Sequence, residues 1–542
     1  MDKPVSARNW FVFLVALSTF IVFFYAFDYA VLSALGGNRA TYLISNFVDS
    51  NNCSHIQKSN CSLDVPQIFN QSTSPDPSVD TDNPFSEVFQ SLDQVNNLTR
   101  NKKTTLAART KIEDSCKGRY IYAHHLPSRF NDDVLKNCSS LVKWFDMCPY
   151  LKNLGLGPQV ENSNGVLSEK GWFATNQFLL EVIFHERMKR YKCLTNNSSF
   201  ADAIYVPFYA GSDVGRYLWD TISKRDSLGS DLVKWLAQQH EWKRMWGRDH
   251  FFVSSRVGWD FRRQSDDDWG SKLMSCPESM NLTMLTIETT SWSNEFAIPY
   301  PTYFHPSSDN EVLQWQNRML DRNRRYLFAF AGAPRPGVND SIRGEIINQC
   351  LASRRTCNFL GCSSGKSRCD DPVEVMKVFQ DSVFCLQPPG DSLTRRSTFD
   401  SILAGCIPVF FHPFSAYGQY TWHFRRSYWK YSVFIPMDLM KEGFVNIKQV
   451  LLQVSEDEIL AMREEVIKLI PKVIYADPRS KLETLEDAFD IALKGVLNRI
   501  GKLRKNILKG RDPSHGFAEE NSWKMKLSGI GVEKEWDRFI DL

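Results

Sequence analysis

Apolar and polar positions divide the chain into three stretches of different character. Residues 10–27 carry no charged side chain, and a helix of about 18 residues is long enough to cross a bilayer. Residues 36–114 are rich in Asn, Ser, Asp and Pro and show little apolar periodicity, which is typical of a flexible segment. From Cys116 onward, short apolar runs alternate with amphipathic stretches, and this alternation predicts a folded α/β body.

The apolar stretch favours an uncleaved membrane anchor over a cleaved signal peptide, because no clean small-residue cleavage site follows it. Lys3 and Arg8 precede the stretch and Asp28 follows it, which predicts a cytoplasmic N-terminus. We therefore expect a cytoplasmic tail at 1–9, a transmembrane signal anchor at 10–30 and a luminal stem at 31–114. The rest of the chain is then luminal.

Two features agree with a luminal body. All 13 cysteines follow the anchor, and their odd number leaves at least one thiol free or paired between chains. Four of the cysteines form a cluster, namely Cys350, Cys357, Cys362 and Cys369. Their spacing lacks the paired CxxC pattern of a zinc site, so we expect two local disulfides among them. The Asn-x-Ser/Thr glycosylation sites also follow the anchor. They are Asn52, Asn60, Asn70, Asn97, Asn137, Asn196, Asn197, Asn281 and Asn339.

The apolar runs predict buried strands in two groups, separated by the Pro-rich passage AIPYPTYFHP at 297–306. The strands are expected at 119–123, 203–209, 250–255 and 284–288 in the first group, and at 326–331, 383–386 and 407–411 in the second. Helical spacing predicts helices at 176–191, 231–246, 341–352 and 372–380, and from Ser455 onward, where Ser455 and Glu458 form a capping box.

This order predicts two α/β domains with parallel sheets that face a common cleft. We expect a first domain at 115–305, a second at 306–515 and a tail at 516–542. Hydrophobic residues make up 43% of the chain and charged residues 23%, which are ordinary values for a folded protein. The net charge of +3 is small for 542 residues, so a nucleic-acid partner is not indicated.

The most informative passage is DSVFCLQPPGDSLTRRSTFDSILAGCIPVFF at 381–411, which predicts a strand, a Pro-Gly loop, a helix and a strand. Gly390 ends the first strand, and Thr394 or Ser392 is expected to cap the helix, whose free N–H groups would then face a phosphate. Arg395 and Arg396 lie in the first turn, where guanidinium groups can bind phosphate oxygens.

Asp400 lies one turn beyond Arg396, on the same face of the predicted helix. Its two carboxylate oxygens could accept hydrogen bonds from the hydroxyls of a ribose. The alternative is an ordinary ion pair between Arg396 and Asp400 at i, i+4 spacing on a helix.

The same passage resembles the C-terminal signature of the exostosin-like glycosyltransferase family 47. CKGRYIYAHHLPSRFND, ADAIYVPFYAG, GRDHFFVSSRVGWDFRR and RRYLFAFAGAPRP are also similar to that family, in the same order, over about residues 115–500. The GWDFRR element and the run from GDSLTRR to YTWHF resemble its plant xyloglucan galactosyltransferase branch.

The resemblance implies a GT-B fold, UDP-galactose as donor, a xylose residue of xyloglucan as acceptor, and a Golgi location. Three positions depart from the family pattern. His125 stands where many members have an acidic residue, and Asp400 stands where distant relatives have Glu. Ser397 occupies the place of their single arginine, so either Arg395 or Arg396 could meet the phosphates.

A β-galactosyl product from an α-linked nucleotide sugar requires inversion, and therefore a base that accepts the proton of the acceptor hydroxyl. Asp260 is the first candidate and Asp213 the second, since each follows a predicted strand of the first domain. The alternative for Asp260 is an ion pair with Arg262 or Arg263. Asp266, Asp267 and Asp268 lie in a polar run rather than at a strand end, so we expect neither a metal-binding DxD motif nor a metal cofactor.

The expected partners are a UDP-sugar, xyloglucan and the Golgi membrane through one helix. A complex with other Golgi glycosyltransferases is a further option. Two alternatives stay open. One is transfer of galacturonic acid or arabinose to xyloglucan or another wall glycan. The other is a lectin-like or scaffolding subunit that has lost the donor chemistry.

Overall fold

The computed structural model describes residues 116–162, 165–290, 292–338, 341–362 and 368–517. The predicted cytoplasmic tail, anchor and stem lie outside these residues, as do most of the C-terminal tail and the sites Asn52, Asn60, Asn70, Asn97 and Asn339. Among the helices that are described, none combines the length and the apolar character needed to cross a membrane. Below, residues 116–305 are the first half and residues 306–517 the second half.

The first half contains a parallel sheet whose described strands lie side by side in chain order. In β3 (His250–Ser254), Phe251, Phe252 and Val253 are all buried, as expected when helices cover both faces of a parallel sheet. The strands are β1 (Tyr120–Ala123), β2 (Ala201–Tyr205), β3 (His250–Ser254), β4 (Thr283–Thr286) and β5 (Glu295–Ala297).

Helices and short 3₁₀ turns connect these strands. The predicted helix at 176–191 is shorter than expected, because Asn176 caps a 3₁₀ turn before the α-helix begins at Leu180. The predicted helix at 231–246 begins earlier and is interrupted at Gln239, where the backbone is extended. The helices are α1 (Asp132–Lys136), α2 (Leu180–Met188), α3 (Ala210–Tyr217), α4 (Ile222–Gln238) and α5 (His240–Met245).

The second half contains another parallel sheet, in the order β7-β6-β8-β9-β10. Its described strands are β6 (Tyr326–Gly332), β7 (Cys357–Gly361), β8 (Ser382–Gln387), β9 (Ile407–Phe410) and β10 (Val433–Phe434). The chain reverses its direction across the sheet between β6 and β8. In sheets of this doubly wound order, ligands bind outside the carboxyl ends of the strands at the reversal. The fold therefore directs a ligand to the loop after β8.

The helices of the second half begin at local signals in the sequence. Asp371 accepts a hydrogen bond from the Val373 N–H, and Pro372 occupies the first turn of its helix. Ser455 and Glu458 form the predicted capping box. The helices are α6 (Asp309–Asp321), α7 (Arg343–Ala352), α8 (Pro372–Gln380), α9 (Arg396–Leu403), α10 (Met437–Lys441), α11 (Ile447–Leu452), α12 (Glu456–Val473) and α13 (Ala488–Leu508).

The last helix, α13, returns to the sheet of the first half. Arg504 donates to the Asp202 carboxylate at 2.5 Å, and Arg499 Nε donates to Thr283 Oγ1 at 3.2 Å. Both sheets belong to one compact unit. The two halves are thus joined by this helix as well as by the chain near residue 306.

All seven predicted strands are present, and the two local disulfides of the cysteine cluster are confirmed as Cys350–Cys357 and Cys362–Cys369. Three strands were missed. β5 and β10 are only three and two residues long, and β7 has the sequence CNFLG, which lacks an extended apolar run. These strands form through pairing with their neighbours rather than through a local pattern.

Gly270 packs against the backbone beneath a candidate site residue, Asp260. It has φ +83°, and a Cβ at this position would lie 2.3 Å from the Asp260 carbonyl oxygen. We expect Gly270→Ala to lower the free energy of unfolding by about 1–3 kcal/mol, because an L side chain is strained here. Chemical denaturation of the purified protein measures this difference.

Gly344→Ala is the matched control, because Gly344 lies in α7 and an added Cβ would meet nothing within 4 Å. In a helix, alanine is favoured over glycine, so this variant should be as stable as the native protein or more stable. Equal stability of the two variants would show that the close contact at Gly270 costs nothing.

Candidate active site

The loop at 388–395 leads from β8 to α9 at the point where the second sheet reverses. Gly390 N donates to Ser392 O at 2.9 Å and so closes the loop on itself. A Cβ on Gly390 would lie 2.4 Å from the guanidinium of Arg395. Only glycine therefore lets the Arg395 side chain fold back over the loop.

Arg395 is fixed in this position but retains an unused donor. Its Nη2 donates to Ser392 O at 3.2 Å, while its buried Nε has no hydrogen-bond partner among the described residues. Arg395 immediately precedes α9, whose first N–H groups carry the positive end of the helix dipole. A guanidinium with a free donor beside a helix N-terminus is suited to bind an oxyanion such as phosphate.

Arg396 makes contacts of a different kind. Its Nε lies 3.3 Å from Asp400 Oδ2, so the ion pair that the spacing allowed is present. Its Cζ lies 3.6 Å from the centre of the Tyr303 ring, and its Nη1 donates to Thr175 O. Tyr303 and Thr175 belong to the first half, so Arg396 binds the two halves together.

Asp400 is buried, with 2% of its surface exposed. Burial raises its pKa to about 6, and the Arg396 guanidinium opposes that shift. Its Oδ1 has no hydrogen-bond partner among the described residues. The ribose-binding role of Asp400 therefore stays a prediction, with one carboxylate oxygen available for it.

The predicted helix cap was wrong. Thr394 Oγ1 donates to Ser415 O at 2.7 Å, and Ser392 Oγ donates to Thr394 O at 3.2 Å. The N-cap residue of α9 is Arg395, and no side chain caps the helix. The Thr394 hydroxyl holds the loop against Ser415, and the Ser392 hydroxyl bonds within the loop. The N–H groups of the first turn of α9 therefore have no side-chain cap.

Buried polar atoms without a hydrogen-bond partner gather around this loop. Native structures leave few such atoms, so a cluster of them indicates a place that a polar ligand completes. Among the described residues, the cluster comprises Glu288 Oε2, Gln387 Nε2, Arg395 Nε, Arg396 Nη2, Thr398 Oγ1, Asp400 Oδ1 and Ser415 Oγ.

Glu288 is the functional candidate that sequence reasoning missed. It follows β4 by two residues, is fully buried, and accepts a hydrogen bond from the Leu393 N–H at 2.8 Å. Burial raises its pKa from 4.5 to about 7. The signal was present in the sequence, because Glu288 is the only charged residue in the apolar run predicted as the strand 284–288. A carboxylate of the first half thus faces the loop of the second half.

Asp260, the first candidate for the base, lies in a 3₁₀ turn after β3 and is 5% exposed. Trp269 Nε1 donates to its Oδ1 at 3.1 Å, and burial raises its pKa to about 6. The ionised carboxylates of Asp260 and Glu288 both help to raise the pKa of the buried Tyr300 hydroxyl, after the larger effect of burial. Asp260 therefore lies close enough to Tyr300 to act on it electrostatically.

The alternative ion pairs expected for Asp260 are wrong. Arg262 pairs with Glu295, and Arg263 pairs with Asp226 at 2.7 Å. The cation nearest to Asp260 in the described structure is Arg256, at 3.9 Å. The Asp260 carboxylate is consequently less strongly neutralised than the local sequence suggested.

Asp213, the second candidate for the base, lies in α3 and forms a 2.6 Å ion pair with Arg216. Asp266, Asp267 and Asp268 are exposed on a loop, where the backbone oxygens of Asp266 and Asp268 accept hydrogen bonds from Arg225. Within the described residues, no group of three or more His, Cys, Asp or Glu side chains is arranged to hold a metal ion.

Of the glycosylation sites, Asn137, Asn196 and Asn197 are exposed and Asn281 is half-buried.

Comparison with known proteins gives the class to which this fold and site belong. The exostosin GT47 domain matches residues 115–451, so the protein is a glycosyltransferase. The chain belongs to the exostosin GT47 family.

Three relatives from Arabidopsis thaliana illustrate the similarity. The probable xyloglucan galactosyltransferase GT12 is 55% identical over 460 residues, which cover 82% of this chain and 90% of the relative. The xyloglucan galactosyltransferase MUR3 is 53% identical over 435 residues, or 79% of this chain and 70% of the relative. The xyloglucan-specific galacturonosyltransferase 1 is 44% identical over 396 residues, or 72% of this chain and 59% of the relative.

Glu288 gives a test of the site that does not require a substrate. Because its pKa is raised from 4.5 to about 7 in the folded protein, its contribution to stability is present below pH 4.5 and is lost as the pH rises through 7. Glu288→Gln imitates the protonated form and keeps an oxygen to accept from Leu393. Relative to the native protein, this variant should gain about 1–3 kcal/mol between pH 5 and pH 8, measured by denaturation at both values.

Glu464→Gln serves as the control, because its side chain is 62% exposed and the difference from the native protein should change little between the two pH values. If Glu288→Gln showed the same small change as this control, the carboxyl group of Glu288 would not be perturbed by burial.

Proposed function

We propose that the chain transfers galactose from UDP-galactose to xylose side chains of xyloglucan, with inversion, in plant cell-wall biosynthesis. The observation that carries the proposal is the loop at 388–395, where Arg395 and a cluster of unpaired polar atoms lie at the reversal of the second sheet. The names of the two relatives that are 53% and 55% identical support the sugar and the acceptor. Two parallel α/β sheets with a shared polar site support a GT-B arrangement.

On this proposal, the second half binds the donor. The N–H groups at the start of α9 and the Arg395 guanidinium hold the diphosphate, and Asp400 Oδ1 accepts from a ribose hydroxyl. Arg395 is favoured over Arg396 as the phosphate ligand, because Arg396 is already engaged by Asp400, Tyr303 and Thr175. This role needs no metal ion, since the guanidinium offsets the charge on the leaving UDP.

The first half supplies the base. The acceptor oxygen forms a bond to the anomeric carbon while the bond from that carbon to UDP breaks, and the hydroxyl proton passes to a carboxylate. Glu288 is favoured, because it faces the donor loop and its pKa of about 7 suits proton transfer near neutral pH. Asp260 is the second candidate, and the Asp213 carboxylate is held by Arg216.

We also propose that the protein is a single-pass type II protein of the Golgi membrane, with its catalytic body in the lumen. The apolar stretch at 10–27 and the glycosylation sites after it support this location. The disulfides within the described residues also support it, because such bonds persist in oxidising compartments. They are Cys116–Cys193, Cys138–Cys148, Cys350–Cys357, Cys362–Cys369 and Cys385–Cys406.

Transfer of galacturonic acid is the second candidate, supported by the relative that is 44% identical. Incubation of the purified protein with xyloglucan oligosaccharides and a panel of UDP-sugars separates the candidates by product mass. We expect a product heavier by one hexose with UDP-galactose. Transfer from UDP-galacturonic acid or UDP-arabinose alone would replace the proposed donor. No product and no UDP release from a folded protein would favour the non-catalytic alternative.

Substitution distinguishes Glu288 from Asp260 as the base. Glu288→Gln should lower the transfer rate by about 10²–10⁴-fold, the usual contribution of a general base, while UDP still binds. Calorimetry measures UDP binding, and coupled release of UDP measures turnover. If instead Asp260→Asn lost transfer and Glu288→Gln retained it, Asp260 would be the base.

The choice between the two arginines is tested by substitution with lysine, which keeps the charge but loses the fork of donors. Arg395→Lys should weaken UDP binding at least about tenfold, the effect of losing one or two charge-assisted hydrogen bonds. Arg354→Lys, at an exposed position, is the control. Should Arg396→Lys weaken UDP binding while Arg395→Lys does not, the assignment of Arg395 would be wrong.

A further inference from the structure

A cavity of about 290 Å³ lies in the first half at the carboxyl ends of β1 and β2, apart from the donor loop. Ligands of parallel sheets bind at this edge. Its volume is at the lower end of the range for ligand pockets, with room for one sugar ring but not for a nucleotide sugar. Among the described residues, the histidine, tyrosine and asparagine side chains that line it are Tyr122, His124, His125, His185, Asn196 and Tyr205, all from the first half.

A buried chain of hydrogen bonds fixes the proton of His124. Arg244 Nη2 lies 2.6 Å from Asp249, and Asp249 Oδ1 lies 2.8 Å from His250 Nδ1. The carboxylate favours a proton on His250 Nδ1, so that in the neutral ring His250 Nε2 is an acceptor. With His250 neutral, His124 Nε2 donates to it at 3.1 Å.

The Nδ1 of His124 is then an unprotonated acceptor. It has no hydrogen-bond partner among the described residues, and His124 lines the cavity. Burial, with a smaller effect of His250, lowers the pKa of His124 to about 4, so the ring is neutral at neutral pH. The relay from Asp249 thus presents a lone pair at the wall of this cavity.

His185 contributes a second unused ring nitrogen. Its Nδ1 is bonded to Tyr209 Oη at 2.8 Å, and its Nε2 has no partner among the described residues. The described residues that line the cavity include two tyrosines and no carboxylate, and their one lysine, Lys189, is paired with Glu186 at 2.6 Å. They also do not form a metal site. Neutral imidazoles and aromatic rings suit a neutral sugar, whose hydroxyls donate and accept and whose faces are apolar.

We propose that this cavity is an acceptor subsite, which binds one neutral sugar ring of the acceptor glycan and takes a hydroxyl hydrogen bond on His124 Nδ1. The proposal rests on the proposed function, in that the acceptor is a glycan. The subsite holds a sugar that does not react, so it contributes to acceptor binding and not to donor binding or to the displacement itself.

Two substitutions remove the free nitrogens and keep the structural bonds. In His124→Gln, the amide NH₂ can replace Nε2–H as the donor to His250, while the Nδ1 acceptor is lost. In His185→Asn, the amide can replace Nδ1 opposite Tyr209, while Nε2 is lost. His240→Gln is the control, because His240 is exposed and lies outside the cavity. All variants are made with Ser198→Ala and Ser199→Ala, which remove the glycosylation sites at Asn196 and Asn197, so that a glycan at the rim does not enter the comparison.

We expect His124→Gln and His185→Asn each to raise KM for xyloglucan oligosaccharides about five- to twenty-fold, the effect of one hydrogen bond to a sugar hydroxyl. KM for UDP-galactose, UDP release in the absence of acceptor and the melting temperature should match those of the control. An unchanged acceptor KM in both variants would overturn the proposal. Equal changes in the donor and acceptor KM would also overturn it, because they would indicate a structural effect.

Direct binding separates this proposal from the proposed function. If the native protein transferred no sugar but bound xyloglucan oligosaccharides in calorimetry, and His124→Gln lost that binding, the subsite would stand without the transfer reaction. If the native protein transferred sugar normally and His124→Gln bound the oligosaccharide as well as the native protein does, the subsite would be excluded and the transfer reaction would stand.

Discussion

The placement of Arg396 between the two halves is the contact on which the candidate site depends. Its guanidinium lies against the Tyr303 ring and donates to Thr175 O of the first half, while it pairs with the buried Asp400 of its own helix. A buried charge without a partner costs several kcal/mol, so neither member of this pair can leave alone. The start of α9 is therefore fixed relative to the first half.

With that end fixed, the loop at 388–395 is held from the other side by Glu288, which accepts from the Leu393 N–H. Between the two contacts, Arg395 keeps a buried Nε without a partner, and so do several neighbouring polar atoms. Such atoms lower stability in the free protein. The fully buried cores of the two sheets, with residues such as Phe251 and Phe384, offset this cost. The apolar cores thus allow the site to keep unpaired polar atoms that a ligand can bind.

Much of this arrangement could be predicted from sequence, because it depends on local patterns. The strands follow from short apolar runs, and the Arg396–Asp400 pair follows from helical spacing. The failures are tertiary. Glu288 meets Leu393 across 105 residues, and Thr394 bonds to Ser415 instead of capping its helix. Arg262 and Arg263 pair with the distant Glu295 and Asp226 rather than with Asp260. Local spacing cannot rank a capping bond against a long-range partner of similar strength.

Around the donor loop, Arg395 and Arg396 come from the second half and the Glu288 carboxylate comes from the first, and the proposed chemistry gives a reason for this division. The donor carries a diphosphate, so the loop that would hold it supplies guanidinium and N–H donors from the second half. The acceptor offers hydroxyls that must lose or share a proton, so the first half supplies acceptors: the Glu288 and Asp260 carboxylates and the His124 imidazole. The Arg395 charge already lowers the pKa of Glu288, and a closer guanidinium would lower it further and make the carboxylate a weaker base. Division between two sheets keeps Glu288 close to the donor loop yet leaves burial as the dominant effect on its pKa.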